Sequence, residues 1–370
     1  MNLMDIRQQI DAVDDEIMSL FIRRMSLCAE VAEYKRDNGL PVFQGGREEE
    51  IIERIRGMAP EELRDGAQCL FTGIMDISKC LQQQRLSQGG DMPSPKPFRP
   101  ENARLIACQG RSGAYSQKAC EKLFPGKEIL FSESFDEVFA AVESGTADFG
   151  ILPVMNSGRG SVSEIYELMR EHEFYVCTVV QVGVSHCLAA KTALRPDEIE
   201  AVYSHPQALM QCSKYLSKNS LAGREYLNTA LAAEYVSNSD ASIAAICSKE
   251  CANQLGLCII SSDISDFTPN FTRFICISKD FLVDKTADGI AVSLSIPHTK
   301  NSLYRLLTNF SFYGLNLRRI ESMPAGKDFE VLFYLDFDGK YDDTRVSTLL
   351  SSLRNELSCF RFMGNYNTIV

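Results

Sequence analysis

Histidine is scarce in this 370-residue chain. The four histidines are dispersed, and the thirteen cysteines form no Cys-x-x-Cys pair. Cys247 and Cys251 are the closest two cysteines, and no second pair matches them, so the pattern does not favour a zinc site. We therefore expect neither a metal site nor another cofactor.

The chain also lacks a basic excess and a long apolar run. Its net charge of −11 opposes binding to nucleic acid or to an anionic membrane surface. None of its apolar runs is long enough to span a bilayer. An odd number of cysteines without a secretory signal is typical of a reducing compartment, so we expect a cytoplasmic protein.

The length and the apolar fraction of 45% indicate a globular protein of two or three domains. A segment rich in Pro, Gly and Ser at residues 88–102 is the clearest boundary. We expect domains at residues 1–87, 103–280 and 288–370, with residues 88–102 as a linker.

An apolar stripe at helical spacing predicts one long N-terminal helix: Leu3, Ile6, Ile10, Val13, Ile17 and Leu20. The same phase places Arg24 where an apolar residue is expected. Lys35 shares this face about 16 Å further along the axis. Buried cations are costly unless an anion pairs with them, so both residues predict an anionic ligand.

Arg7 lies about 25 Å from Arg24 along the helix and can reach the same site only from an antiparallel partner. The alternative is a dimerisation module with long cationic side chains lying along apolar surface.

Two further helices are expected in this region. One begins near Arg47 and ends at Pro60, and the next covers residues 61–86. Ser78 and Gln82 are four residues apart and therefore share a face of the last helix. The residues expected to point inward on it are Leu63, Leu70, Ile74, Ile77 and Leu81.

In the central region, β-type and helical segments alternate, which predicts parallel sheets covered by helices. The expected strands cover residues 105–108, 129–131, 149–154, 175–182, 201–203, 243–246 and 274–277. Three polar turns, at 109–116, 153–161 and 204–207, fall where such folds bind ligands. Ser204 and Pro206 predict the start of a helix running to about residue 216, where a carboxylate could bind. An ordinary helix cap explains Ser204 equally well.

The last region has the order strand, helix, strand, strand, helix, strand, which is the ferredoxin-like plan. The strands are expected at 290–296, 316–322, 329–337 and 359–363, and the helices at 302–312 and 344–356.

Residues 3–86 resemble the all-α chorismate mutase domain. The residues that carry this resemblance are Arg7, Arg24, Lys35, Arg47, Glu48, Ser78 and Gln82. The resemblance implies that Arg24 and Arg7 from a second copy hold the substrate carboxylates, while Lys35 and Gln82 stabilise the ether oxygen. Arg47, Glu48 and Ser78 would complete the site, and Gln44 stands where the family usually has Asp. The reaction, chorismate to prephenate, needs clamped carboxylates and donors on the ether oxygen.

Residues 103–279 resemble prephenate dehydratase, a two-lobed α/β fold like that of periplasmic binding proteins. The matching stretches are Gly110 to Ser116, Pro153 to Gly160, His186 to Leu188, Tyr203 to Gln207 and Asn270 to Phe274. The resemblance implies that Thr272 acts on the departing hydroxyl. The implied substrate-binding residues are Asn156, Ser157, Ser204, Gln207 and Arg273. Met155 replaces the usual Glu, so an impaired dehydratase is the alternative to an active one.

The C-terminal region resembles the ACT regulatory domain, which implies phenylalanine as an allosteric ligand. The implied contacts are Asn301, Leu303, Glu321 and Ser322. Asn301 replaces a usual Gly, and Met323 replaces a usual Arg. A dimerisation domain that does not sense phenylalanine is the alternative.

We expect a multidomain, bifunctional enzyme of phenylalanine biosynthesis, with chorismate and prephenate as substrates, assembled as a homodimer or a dimer of dimers. The rival hypothesis is a protein that senses aromatic amino acids without turnover. Arg7, Arg24, Lys35 and Gln82 argue against it, because a sensor does not need them.

Overall fold

A computed structural model describes residues 2–40, 45–86, 93–158, 160–266, 270–324 and 331–370. The chain forms two compact units. The first combines Met1–Pro93 with Val292–Phe362, and the second combines Ser94–Ala291 with Met363–Val370.

Three helices form the N-terminal part of the first unit: α1 (Leu3–Asp37), α2 (Gly45–Met58) and α3 (Arg64–Leu86), the last preceded by a short 3-10 turn at Glu61–Leu63. The long first helix is confirmed. Asn2 begins it, because its side chain accepts from the backbone N–H groups of Met4 and Asp5. The helix α1 packs along α3 and buries Ala29, Ala32 and Lys35.

The apolar stripe of α1 does not face α3. Leu20, Leu27 and Val31 remain 65%, 54% and 45% exposed in the single chain, while the face with Ala29 and Ala32 is buried. Small side chains let two helix backbones approach closely. This explains why α1 packs on α3 through the face that carries Ala29 and Ala32. The inward orientation predicted for Leu63 and Leu70 is wrong, since both are exposed.

The second unit contains thirteen strands and seven helices among the described residues. Its strands are β1 (Lys96–Pro97), β2 (Leu105–Gln109), β3 (Glu128–Ser132), β4 (Phe149–Asn156), β5 (Gly160–Ser161), β6 (Tyr175–Gly183), β7 (Cys187–Ala190), β8 (Ala201–Ser204), β9 (Gly223–Glu225), β10 (Ile243–Cys247), β11 (Cys258–Ser261), β12 (Phe271–Ser278) and β13 (Leu282–Val283). Its helices are α4 (Tyr115–Leu123), α5 (Phe135–Glu143), α6 (Ser163–Glu171), α7 (Pro206–Gln211), α8 (Ser213–Lys218), α9 (Thr229–Ser237) and α10 (Lys249–Gln254).

These strands form two lobes. One sheet has the order β6-β12-β4-β2-β3, and the other has the order β11-β7-β10-β8-β9. The two-lobed α/β fold and all seven predicted strands are confirmed. The prediction of parallel sheets is only partly right, because β12 runs antiparallel to β4 and β6, and β7 runs antiparallel to β10. Buried strands read as apolar runs in either direction, so the sequence pattern did not reveal this.

The glycine turn after β2 has a structural cause. Gly113 has a φ of +86°, and a Cβ at this position would lie 2.9 Å from the Cys251 sulfur. Only glycine fits both conditions.

The helix predicted after β8 is interrupted at Cys212, which separates α7 from α8. Ser204 does not cap it. Instead, His205 Nδ1 accepts from the backbone N–H of Gln207 at 3.2 Å, and the Ser204 hydroxyl donates to the Ile246 carbonyl at 2.6 Å.

The chain then forms β14 (Gly289–Ser295), α11 (Ser302–Phe312), β15 (Leu317–Pro324), β16 (Val331–Asp338), α12 (Thr344–Glu356) and β17 (Cys359–Ile369). The strand order β15-β16-β14-β17 confirms the ferredoxin-like plan. In the first unit, α11 and α12 pack on α3. Tyr313 donates to the Cys80 carbonyl at 3.3 Å, and Ser352 donates to the Gln83 side chain. The helix α3 is therefore covered on one side by α1 and on another by α11 and α12.

Candidate active sites

The facing surfaces of α1 and α3 bring a cation next to a hydroxyl. Arg24 Nη1 donates to Ser78 Oγ and lies 3.5 Å from the Ile74 carbonyl oxygen. Ser78 is buried and donates to the same carbonyl at 2.7 Å. The guanidinium is thus held in place by α3 and keeps further donors for an anion.

Lys35 is buried about three turns beyond Arg24 on α1. Burial lowers the pKa of Lys35, while Cys28 and Glu48 oppose that shift. A poorly hydrated ammonium group makes strong charge-assisted hydrogen bonds, so it suits an oxygen that gains negative charge.

Gln82 completes this surface one turn after Ser78. It is 8% exposed, and its Oε1 is buried with no hydrogen-bond partner in the described part of the chain. Buried amides are normally paired, so this side chain is arranged to meet a ligand or a water molecule.

Glu48, on α2, is held by cations. Its carboxylate pairs with Lys79 at 3.2 Å and with Arg305 of α11 at 2.7 Å. Arg47 instead points to solvent and pairs with Glu50 at 2.8 Å. Arg7 is exposed on α1, and Gln44 lies outside the described residues.

In the second unit, Thr272 and Asn156 are opposite each other on β12 and β4. Asn156 Nδ2 lies 3.0 Å from Thr272 Oγ1, 3.2 Å from Asn270 Oδ1 and 3.3 Å from the Phe271 carbonyl. Thr272 therefore accepts from the amide, and its own proton has no acceptor within the described ranges. The hydroxyl is positioned to donate to a ligand.

A network of amides extends from this pair into the other lobe. Gln211, on α7, lies 3.5 Å from Asn156 Oδ1 and accepts from Asn270 Nδ2 at 3.3 Å. His186 Nε2 lies 3.0 Å from Gln211 Oε1. The sequence prediction did not assign these three residues a role. Gln211 is four residues after Gln207, and that helical spacing was the available signal.

The protonation of His186 follows from this network. Gln211 Oε1 can only accept, so we assign the proton of His186 to Nε2. Tyr115 then faces the other ring nitrogen at 3.5 Å and donates to the Ser185 carbonyl at 2.8 Å. Burial lowers the pKa of His186, and the hydrogen bond to Gln211 opposes this. A neutral imidazole fits the donor and acceptor pattern.

The remaining predicted dehydratase residues have different surroundings. Ser157 accepts from the backbone N–H of Phe271 at 3.0 Å, and Gln207 is half-buried at the start of α7. Ser204 is fully buried and already donates to the backbone. Arg273 is opposite Met155 in the β12–β4 register, one residue from the Thr272 pair. Because side chains alternate along a strand, Met155 and Arg273 lie on the opposite face of the sheet from Thr272.

The four predicted regulatory residues lie on two elements. Asn301 begins α11 in the left-handed conformation, with φ of +68°, and Leu303 is exposed on that helix. Asn301, Glu48 and Arg305 line a cavity of about 570 Å³. On β15, Glu321 pairs with Arg319 at 3.2 Å, and Ser322 is exposed.

Two further observations concern the described residues as a whole. They contain no group of three His, Cys, Asp or Glu side chains able to hold a metal ion. None of the helices formed by them is both long and apolar enough to cross a membrane.

Comparisons with known proteins identify the family of each of the two domains. Residues 106–281 match the family model of prephenate dehydratase, and residues 6–83 match that of chorismate mutase type II. Arogenate dehydratase 3, a chloroplastic protein of Arabidopsis thaliana, is 34% identical over 293 residues, which cover 74% of this chain and 69% of the relative. The chain belongs to the prephenate dehydratase family. Ahead of that domain it carries a chorismate mutase type II domain. These two domains support both enzymatic activities, and the fold expected from the resemblance is confirmed for them.

Two solved structures also resemble this chain in fold. Prephenate dehydratase of Arthrobacter aurescens, determined in complex with L-Phe, is 25% identical with a TM-score of 0.66, covering 71% of this chain and 89% of that one. A protein described as a quorum-quenching acylase, GqqA, is 27% identical with a TM-score of 0.65, covering 71% of this chain and 97% of that one.

Proposed function

We propose that the chain carries out two consecutive steps of phenylalanine biosynthesis, converting chorismate to prephenate and then prephenate to phenylpyruvate. The observation that carries this proposal is the presence of a mutase and a dehydratase domain in one chain. The mutase product is prephenate itself, whereas arogenate carries an amino group that another enzyme would have to supply. Prephenate is therefore the substrate that needs no additional partner.

For the mutase reaction, we assign the grip on the substrate carboxylates to Arg24 and to Arg7 of a second copy. Lys35 and Gln82 donate to the ether oxygen as its bond to the ring breaks, and Ser78 orients Arg24. The hydrogen bond between Arg24 and Ser78 and the burial of Lys35 and Gln82 support these roles. Glu48 borders the substrate in this proposal, and Arg47 and Gln44 keep only the roles that the family resemblance implies.

In the dehydratase reaction, the ring C–OH bond breaks and its electron pair leaves with the oxygen, which takes up a proton to become water. The bond to the ring carboxylate breaks at the same time, releases carbon dioxide and supplies electrons to the aromatic ring. Thr272 donates a hydrogen bond to the departing oxygen, and Asn156 stabilises that orientation by donating to Thr272. Ser157 and Gln207 contribute to binding in this proposal, and Ser204 acts through the backbone carbonyl to which it donates. Arg273, on the opposite face of the sheet from Thr272, acts only indirectly.

The proposed assembly is a homodimer, which two such dimers could extend to a tetramer. The apolar stripe of α1 is exposed in one chain, including Ile10, Val13 and Ile17 at more than 50% each. A stripe of this length would bury a large apolar area against an antiparallel copy of itself. The same arrangement would deliver Arg7 to the site of the other copy.

For the C-terminal ferredoxin-like domain, we propose an ACT-type regulatory role with phenylalanine as its ligand. One solved relative was determined in complex with L-Phe. The contacts proposed for this chain are Asn301, Leu303, Glu321 and Ser322. For location we propose the cytoplasm, a reducing compartment, because all thirteen cysteines are free thiols.

Purified protein given chorismate tests the main proposal. We expect prephenate to appear and then decline as phenylpyruvate accumulates, measured by ultraviolet absorbance. A parallel reaction starts from arogenate and measures phenylalanine. Turnover of arogenate without turnover of prephenate would refute the choice of substrate.

A further inference from the structure

The carboxylate of Glu48 is held by a residue far away in the sequence. Arg305 Nη2 donates to Glu48 Oε2 at 2.7 Å, and Lys79 Nζ lies 3.2 Å from Oε1. The side chains of Glu48 and Lys79 are each 18% exposed. Both carboxylate oxygens therefore have cationic partners, and the orientation of Glu48 depends on them.

Arg305 reaches a second carboxylate as well. Its Nε lies 3.4 Å from Asp76 Oδ1, and Asp76 is paired with Lys79 at 2.8 Å. Asp76 is almost fully buried, and its Oδ2 has no hydrogen-bond partner among the residues that the structure describes. Two carboxylates and two cations thus form one cluster, in which Arg305 is the member supplied by the C-terminal domain.

The location of this cluster joins two parts of the first unit. Glu48 belongs to α2, Asp76 and Lys79 belong to α3, and Arg305 belongs to α11. The same helix α3 carries Ser78 and Gln82 on the side that faces the candidate mutase site. A displacement of α11 would therefore move the Glu48 carboxylate, since Arg305 connects them directly.

We propose that Arg305 is a positioning residue of the mutase: it fixes the Glu48 carboxylate, so that helix α11 of the ferredoxin-like domain sets the geometry of a site built by the N-terminal helices. This inference rests on the proposed role of Glu48 near the substrate. A small misplacement of a group that orients the substrate costs up to about 100-fold in rate, so the contact is able to control turnover.

The first experiment measures mutase and dehydratase rates in the full chain with Arg305→Gln. We expect mutase kcat/KM to fall roughly tenfold, within the range typical of coupling between sites. The dehydratase rate from added prephenate is expected to remain unchanged. Arg345→Gln is the matched control, because Arg345 forms an exposed ion pair with Asp343 on α12 at 2.7 Å. It should leave both rates unchanged.

A second pair of variants separates positioning from stability. Arg305→Gln leaves Asp76 with less compensating charge, which could destabilise the unit. Combining it with Asp76→Asn removes that charge and should restore the thermal melting curve, but not the mutase rate. Recovery of the mutase rate together with stability would overturn the proposal. Arg305→Lys, which keeps a cation for Glu48, should recover part of the lost rate.

A double-mutant cycle distinguishes failure of the inference from failure of the Glu48 assignment. If Arg305 acts through Glu48, Arg305→Gln should cause little further loss in a Glu48→Gln background. If the loss of mutase rate in the double variant equals the product of the two single-variant losses, the inference is overturned. A Glu48→Gln chain with the wild-type mutase rate would instead refute the role of Glu48. An inactive Glu48→Gln chain beside a fully active Arg305→Gln chain would refute the role of Arg305 alone.

Discussion

Asn156 donates a hydrogen bond to the Thr272 hydroxyl oxygen over 3.0 Å, from the strand paired with that of Thr272. The Asn156 amide donates to the hydroxyl oxygen. The hydroxyl proton of Thr272 is therefore available to donate to a ligand. A lone threonine hydroxyl is a weak acid, so its contribution depends on being held in one orientation. The register of β4 and β12 provides that orientation.

Removing the Thr272 hydroxyl should therefore abolish most dehydratase turnover. Thr272→Val keeps the shape of the side chain, and we expect kcat to fall about 10²- to 10³-fold, the cost of losing one preorganised donor. Thr272→Ser keeps the hydroxyl and should retain much of the activity. The rate of phenylpyruvate formation from prephenate measures both variants. An active valine variant would contradict the assigned role, and the mutase rate of the same chain reports its integrity.

Gln211 should matter for the dehydratase although it does not contact Thr272. Gln211→Ala removes partners of Asn156, Asn270 and His186, and a buried hydrogen-bond partner costs about 1–3 kcal/mol when lost. We expect roughly a tenfold or greater loss of kcat/KM if that cost falls on the transition state. Asn253→Ala, at an exposed amide side chain of the same unit, is the control and should have the wild-type rate.

The pH dependence of the mutase should report Lys35. Burial lowers the pKa of Lys35 below its ordinary value of 10.5. Its charged form is the one that donates to the ether oxygen, so activity is present below the folded pKa and declines as pH rises through it. The expected alkaline limb lies below pH 10.5. Lys35→Arg stays charged and should move that limb upward. An identical limb in both proteins would show that another group is responsible.

A mixing experiment tests whether two chains build each mutase site. Arg7→Ala and Arg24→Ala should each be inactive alone, because each removes a carboxylate contact. In a mixed dimer, one site would carry both changes and the other none. After random exchange, roughly a quarter of the wild-type mutase activity should return. No recovery, with subunit exchange verified by differently tagged chains, would mean that Arg7 does not act across the dimer.

Local patterns were sufficient to predict most elements. The helices α11 and α12 have the predicted bounds, 302–312 and 344–356, because each combines helical apolar spacing with a clear turn on both sides. The strand β12 was also predicted from a local pattern, its run of apolar residues. Its antiparallel direction was not predicted. Direction depends on which strands become neighbours, and a run of apolar residues carries no information about this.

The candidate sites were predicted unevenly for the same reason. Arg24 and Lys35 were predicted from helix geometry, because the sequence shows where a cation occupies a helix position at which the spacing calls for an apolar residue. The pairing of Arg305 with Glu48 joins residues on separate segments, and no periodicity connects them. Ser204 was given the role of a helix cap that His205 performs, since both residue types can accept from the backbone and the sequence does not indicate which side chain turns inward.

The first unit is assembled from two separate segments, Met1–Pro93 and Val292–Phe362, with the dehydratase segment between them. During synthesis, α3 leaves the ribosome well before α11 and α12, an interval on the order of 10 s at usual translation rates. Cys80 and Asp76, which are buried in the finished protein, would be open to water throughout that time. Completion of the core around α3 must therefore wait until α11 and α12 have been translated.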